Sequence, residues 1–254
     1  MKGLPALFGV RTMLSHSRTR LMAPVLAALA AICAPAHAAV VPNATHFHFS
    51  AKEQELTVRL SNQGGSPALI QAWIDDGDAD STPETAAAVP FVIRPPVARV
   101  NAGAEKVLRI VAAGAPAASD RETMYFFNLL DVPATTQGAD AVLNLIVRSR
   151  FSLTYRPEGL TAAGAFKAAE QLRWSLARDG QGWTLHAENP TPYYVHLGGI
   201  GDKERIAASR VAPFSSATYR LSHAQQAALG TQVTYQFRNE QGGFHTLTVP
   251  LQRP

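Results

Sequence analysis

The sequence predicts an all-β chain built from two antiparallel sandwiches. Three observations lead there: alternating strand segments recur at short spacing, Gly/Pro/Asn turns separate them, and the pattern restarts after residue 157. Glu55–Ser61 alternates, with Leu56, Val58 and Leu60 on one face. Leu69–Ile74, Lys106–Val111 and Met124–Val132 follow, then a long segment over Ala141–Tyr155. Asn62-Gln63-Gly64-Gly65, Pro95-Pro96, Asn101-Ala102-Gly103 and Gln137-Gly138-Ala139-Asp140 supply the turns. The second set comprises Trp174–Leu176, Gly182–His186, Tyr193–Leu197, Thr231–Phe237 and His245–Leu251. Ser222–Leu229 fits either a short helix capped by Ser222 or a polar loop. The best cut falls near Pro157–Thr161, giving domains over 39–157 and 158–254.

Residues 1–38 read as a cleaved secretory leader. They are basic at the start, apolar from Leu21 to Cys33, and end in Ala36-His37-Ala38. The apolar run, broken by Pro24, is shorter than the ~20 residues a spanning helix needs. No later segment is long and apolar enough to span. Cys33 is the sole cysteine, so the mature chain cannot use disulfides and its cores must hold it. Four of the 23 basic residues lie in the leader, and the remainder balance the 19 acidic ones. The basic pI therefore gives no support to a nucleic-acid partner.

No G-x-S-x-G, C-x-x-C, H-E-x-x-H or P-loop occurs, so no catalytic residues, cofactor or metal site can be named. Asp76, Asp78 and Asp80 alternate as in calcium loops, but Ser81 stands where an EF-hand needs Gly, and a solvated acidic loop is the reading. His46 and His48 point to one side of a strand without a third ligand nearby.

Residues 143–155 carry apolar or aromatic side chains at Leu143, Leu145, Val147, Phe151, Leu153 and Tyr155. At a sheet edge, such a strand is a template for another chain; in a sheet centre, it simply fills a core. Pattern alone leaves both open.

Several segments together resemble the periplasmic assembly chaperones of the chaperone–usher pilus pathway. They are Gln71-Ala72-Trp73-Ile74, Arg94–Val100, Asp120-Arg121-Glu122 with Tyr125–Leu129, Tyr155-Arg156-Pro157, and Glu188–Val195. The resemblance covers essentially the whole mature chain. It implies two immunoglobulin-like domains set as a boomerang, in the periplasm, with pilus subunits and an outer-membrane usher as partners. It also leaves room for a self-capped homodimer. The strand over Ala141–Tyr155 would be lent to an incomplete subunit, with Leu143, Leu145 and Val147 filling its groove. Burial of three such side chains is worth on the order of 5 kcal/mol gross. The short, cysteine-free connection from Pro133 to Ala141 resembles the short-loop class.

The resemblance further implies an acid–Arg–acid bridge between domains at Glu122, Arg156 and Glu240. It implies a clamp for the subunit's terminal carboxylate too, but His46 and Ser152 stand where the family has Arg and Lys. Three explanations stay open: Arg150 supplies the charge with His46 as a weak partner, strand lending suffices alone, or the alignment slips near residue 46. The competing function is a secreted two-sandwich binding module for a carbohydrate or adhesion role, with Trp73, Tyr193 and Tyr194 as a stacking platform.

Overall fold

The computed structural model describes residues 40–114, 118–134, 145–180 and 182–253. The leader expected over 1–38, and Leu143, lie outside them. The first half contains β1 (Val40–Pro42), β2 (His46–Ser50), β3 (Glu55–Asn62), β4 (Ala68–Asp75), β5 (Phe91–Arg94), β6 (Val97–Val100), β7 (Glu105–Ala112), β8 (Thr123–Pro133) and β9 (Val147–Arg156). They form two sheets, ordered β1-β3-β7-β5 and β2-β9-β8-β4-β6.

Period-two alternation explains the packing. Val58 and Leu60 of β3, Leu108 and Ile110 of β7, Ile70 of β4, Phe127 of β8 and Leu153 of β9 all point into one buried core. Each such side chain contributes ~1.5–3 kcal/mol by leaving water. The chain's first segment serves both sheets. β1 pairs with β3 (Val40↔Asn62), then β2 crosses over and runs parallel to β9 (His46↔Ser152).

The second half holds helix α1 (Ala162–Ala168) and a 3-10 turn (Ala169–Gln171), followed by β10 (Arg173–Asp179), β11 (Gly182–Asn189), β12 (Val195–Ile200), β13 (Arg210–Val211), β14 (Ser215–Arg220), α2 (His223–Ala228), β15 (Gln232–Arg238) and β16 (Phe244–Gln252). Its sheet runs β13-β12-β15-β16-β10-β11-β14. β13 at one end of that order approaches β14 at the other, so the sheet wraps a core of Trp174, Leu185, Ile200, Val233 and Tyr235.

Three differences from the sequence reading, and one alternative that it left open, are informative. β9 begins at Val147, where the β8–β9 pairing ends at Asp131↔Val147; Leu145 and Ile146 precede the strand, and residues 141–144 of the expected strand lie outside the described residues. Pro95-Pro96 divides two unanticipated strands, β5 and β6, which fall in different sheets. Ser222–Leu229 is the helical alternative: Ser222 accepts from the Gln225 N–H, and Gln225 Oε1 accepts from the Ser222 N–H, a full capping box. Helix α1 escaped notice because it is short and Ala-rich, and its Thr161 cap lies in the proposed linker.

Candidate functional site

β9 is held unequally along its length. From Ser152 to Tyr155 it has β8 on one flank and β2 on the other. From Val147 to Phe151 it has only β8, and no strand lies on the opposite flank among the described residues. Just before it, Leu145 and Ile146 are 48% and 62% exposed. An unpaired backbone edge beside exposed apolar side chains is what a strand-adding partner requires.

The even-numbered residues of this edge carry two arginines, both already engaged. Arg148 donates to Asn128 Oδ1 (2.8 and 3.2 Å) and lies over Trp73. Arg150 donates to both oxygens of the fully buried Asp75 (2.5 and 3.1 Å) and stacks 3.6 Å from the centre of Phe126. Burial works against the Asp75 charge, but hydrogen bonds from Arg150 and Asn128 win and hold its carboxyl below the usual range. The charge expected of Arg150 as a carboxylate anchor is thus answered inside the chain.

Where the two sandwiches meet, Arg156 lies between Glu122 and Glu240. Its Nε and Nη2 donate to Glu122 Oε1 at 2.8 and 2.6 Å, and Nη2 also donates to Glu240 Oε1. Glu122 Oε2 accepts from the Tyr194 N–H at 2.8 Å, and the Glu122 N–H donates to the Pro192 carbonyl at 2.9 Å. Burial raises the Glu122 carboxyl, with Arg156 pulling the other way. Burial also opposes the Arg156 charge, but Glu240 and Glu122 outweigh it and the guanidinium is held more firmly protonated.

Hydrogen bonds from one side chain tie the Glu188–Val195 segment together. Buried Asn189 donates to the carbonyls of Tyr193 (2.7 Å), Ala212 (3.0 Å) and Val211 (3.3 Å), and its Oδ1 accepts from Thr191. Tyr193 is buried beside Arg156, and its hydroxyl accepts from the Thr161 N–H. Gly164 is required there, since a Cβ would fall 2.1 Å from that hydroxyl. Trp73 is buried as well, its Nε1–H directed at Ser81. Trp73 and Tyr193 therefore pack the interior, and the stacking platform of the binding-module reading is not formed.

Beside the bridge, three imidazoles gather: His46 and His48 from β2, and His196 from β12. The His46 and His196 rings meet edge to face at 5.3 Å. Arg238 of β15 donates to His46 Nε2. Burial, then the nearby cations Arg238 and Arg210, push His46 down to about 4. Burial, then His46, His48 and the same arginines, push His196 to about 3. His48 is lowered too, by burial, with Glu240 opposing. The His46 ring therefore stays neutral at neutral pH, in keeping with its expected role as a weak partner at most.

Because these imidazoles bind protons less tightly folded than unfolded, their contribution is intact above pH ~6.5 and lost as pH falls toward 4. Urea titrations should show stability declining between pH 6.5 and 5, with up to about 1.4 kcal/mol per pH unit from His196. His196→Gln should flatten that slope; an unchanged slope would remove the imidazole from the account.

Of the sequence-predicted residues, His46 and Ser152 come together as register partners, with Arg150 lining the same groove. Glu122, Arg156 and Glu240 converge. Leu145 and Val147 flank the start of the free edge. Sequence reasoning missed Arg210, Arg238 and His196; each sits on the second sandwich, with no pattern linking it to residue 46. Among the described residues, no three His, Cys, Asp or Glu side chains are arranged to hold a metal, and no helix is long and apolar enough to cross a membrane.

Comparison with known proteins agrees with this arrangement. Residues 39–161 match the family described as pili and flagellar-assembly chaperone, PapD N-terminal domain, and residues 167–249 match the pili assembly chaperone PapD C-terminal domain. The chain is 40% identical over 206 residues to the chaperone protein FimB/FhaD of Bordetella pertussis, covering 77% of this chain and 82% of that one. It is 39% identical over 194 residues to the chaperone protein MrkB of Klebsiella pneumoniae, covering 73% and 80%. Among solved structures, the Pseudomonas aeruginosa CupB2 chaperone superposes with a TM-score of 0.66 at 35% identity, over 83% of this chain and 100% of that one. The Salmonella enterica SafB chaperone, solved in complex with the SafA pilin, gives 0.70 at 27%, over 86% and 99%. With two all-β domains, a half-free edge strand and both family matches in order, the chain belongs to the pili assembly chaperones.

Proposed function

We propose that this chain is a periplasmic chaperone that lends β9 to incomplete pilus or fimbrial subunits and delivers them to an outer-membrane usher. The observation that carries the reading is the free flank of Val147–Phe151 with Leu145 and Ile146 exposed beside it. A subunit lacking a strand exposes an apolar trench and unpaired backbone; this edge offers the complement of both. The SafB chaperone in complex with its pilin is a relative that supports the same use here. In this reading, residues 1–38 are the leader that directs export, 39–157 form the lending domain, 158–254 form the second domain, and Glu122–Arg156–Glu240 fixes the two domains at their junction.

Co-expression with a fimbrial subunit that is degraded when made alone tests the proposal. The subunit should accumulate as a complex with the wild-type chain. Val147→Asp should lower its recovery at least about tenfold, since a carboxylate cannot enter an apolar trench without its water. The variant's melting curve should stay close to wild type, because Val147 lies at the open end of β9. Full recovery with Val147→Asp rejects β9 as the lent strand, and degradation of the subunit alongside the wild-type chain rejects the function.

A further inference from the structure

The free stretch of β9 carries a second chemistry on its even-numbered face. Successive strand residues point to opposite sides of a sheet, so Arg148 and Arg150 lie on the face away from the core that Leu153 enters. Across the sheet, Gln71, Leu130 and Arg148 stand in one register row, and Trp73, Asn128 and Arg150 in the next. On the open flank each row stops at β9, and the next place in it belongs to whatever strand is added.

The two arginines differ in charge balance. Arg150 is neutralised by Asp75 at 2.5 Å. Arg148 meets no carboxylate among the described residues. Asp131 is opposite Val147 in the β8–β9 register, and so belongs to the other face. What holds Arg148 is neutral. Fully buried Asn128 donates from Nδ2 to Asp75 at 2.7 Å, which turns its Oδ1 toward Arg148. That oxygen accepts from Arg148 Nε and Nη2 at 3.2 and 2.8 Å. The guanidinium also lies 4.9 Å from the centre of the buried Trp73 ring. Two of its five N–H donors are thereby occupied, and its charge stays uncompensated. Asp75, Asn128 and Trp73 thus pin a cation beside an unpaired backbone edge.

We propose that Arg148 is a specificity residue of the lent edge, selecting partner strands that carry an aspartate or glutamate opposite it. Asn128 is the positioning residue that holds the guanidinium, and Asp75 fixes the orientation of the Asn128 amide. Directly opposed residues on one face of a sheet have Cβ atoms ~4.5–5.5 Å apart, within reach of a carboxylate–guanidinium contact, whereas an opposed cation is repelled. Opposite Arg150 no such demand exists, since Asp75 already answers that charge. The inference rests on the strand-lending reading for its partner, and concerns the face of the added strand that looks away from the apolar trench.

The test uses the full mature chain and three short peptides of alternating valine and threonine, N-acetylated and C-amidated so that neither end is charged. The central threonine is replaced by glutamate, glutamine or lysine. Titrations followed by the backbone amide resonances of residues 147–151 give the affinities. The glutamate peptide should bind about threefold more tightly than the glutamine peptide and about tenfold more tightly than the lysine peptide, as expected for one opposed charge pair on a sheet. Arg148→Lys should keep that order, Arg148→Gln should erase it, and Arg148→Glu should reverse it. A merely structural role would weaken all three peptides alike and could not invert their order. Equal binding of the three to the wild-type chain, an order that survives Arg148→Gln, or no shift of the 147–151 amides with any peptide overturns the proposal. If Val147→Asp abolishes subunit recovery while the peptides show no charge preference, Arg148 loses its role and strand lending stands. If subunit recovery is unmoved by Val147→Asp, the strand-lending reading itself fails.

Discussion

Replacing Arg156 with alanine is expected to cost about 3–5 kcal/mol of stability, among the largest losses any single substitution in this chain should produce. The guanidinium is only 8% exposed, and one of its partners, Glu122, is 2% exposed. Without Arg156, the Glu122 carboxylate keeps one donor, the Tyr194 N–H, and faces Glu240 with no intervening cation. Burial already raises Glu122, and loss of the guanidinium would raise it further, so part of the cost would appear as proton uptake. Urea unfolding of Arg156→Ala against wild type at neutral pH measures the loss. Because Glu122 and Arg156 lie on the first sandwich and Glu240 and Tyr194 on the second, the variant should also separate the unfolding of the two domains. A loss below about 1 kcal/mol, or an unbroken single transition, would mean that the bridge is an incidental surface pair. Arg156→Lys should fall in between, since an ammonium cannot reproduce the two-pronged contact with Glu122 and still reach Glu240.

The parts of the fold that were legible in the sequence are those where one local rule decides the outcome. β3 alternates cleanly because one face is buried and the other wet, and Asn62, Gly103 and the Gly-rich turns punctuate the strands on either side. The bridge at Glu122, Arg156 and Glu240 was reachable only through family resemblance, as nothing local ties residues 122, 156 and 240 together. Leu145 and Ile146 were read into β9 for a physical reason: alternation reports which way side chains point, and it is silent on whether a hydrogen-bonding neighbour exists. The same limit hid Arg210. It sits in a two-residue strand whose importance derives from its approach to Phe126 and from its register partner His196. His46 was found, but not the Arg238 contact that helps keep it neutral, because that residue comes from another domain.

The central claim concerns the backbone of residues 147–151, whose amides point alternately toward β8 and toward the open flank. Amide hydrogen exchange of the free chain and of its complex with a subunit reads each of them. The account predicts that in the free chain only the amides facing β8 are slowed, and that in the complex the outward-facing ones become protected by at least about a hundredfold as they gain a partner strand. Outward amides already protected in the free chain, or still exchanging freely within a stable complex, would contradict it.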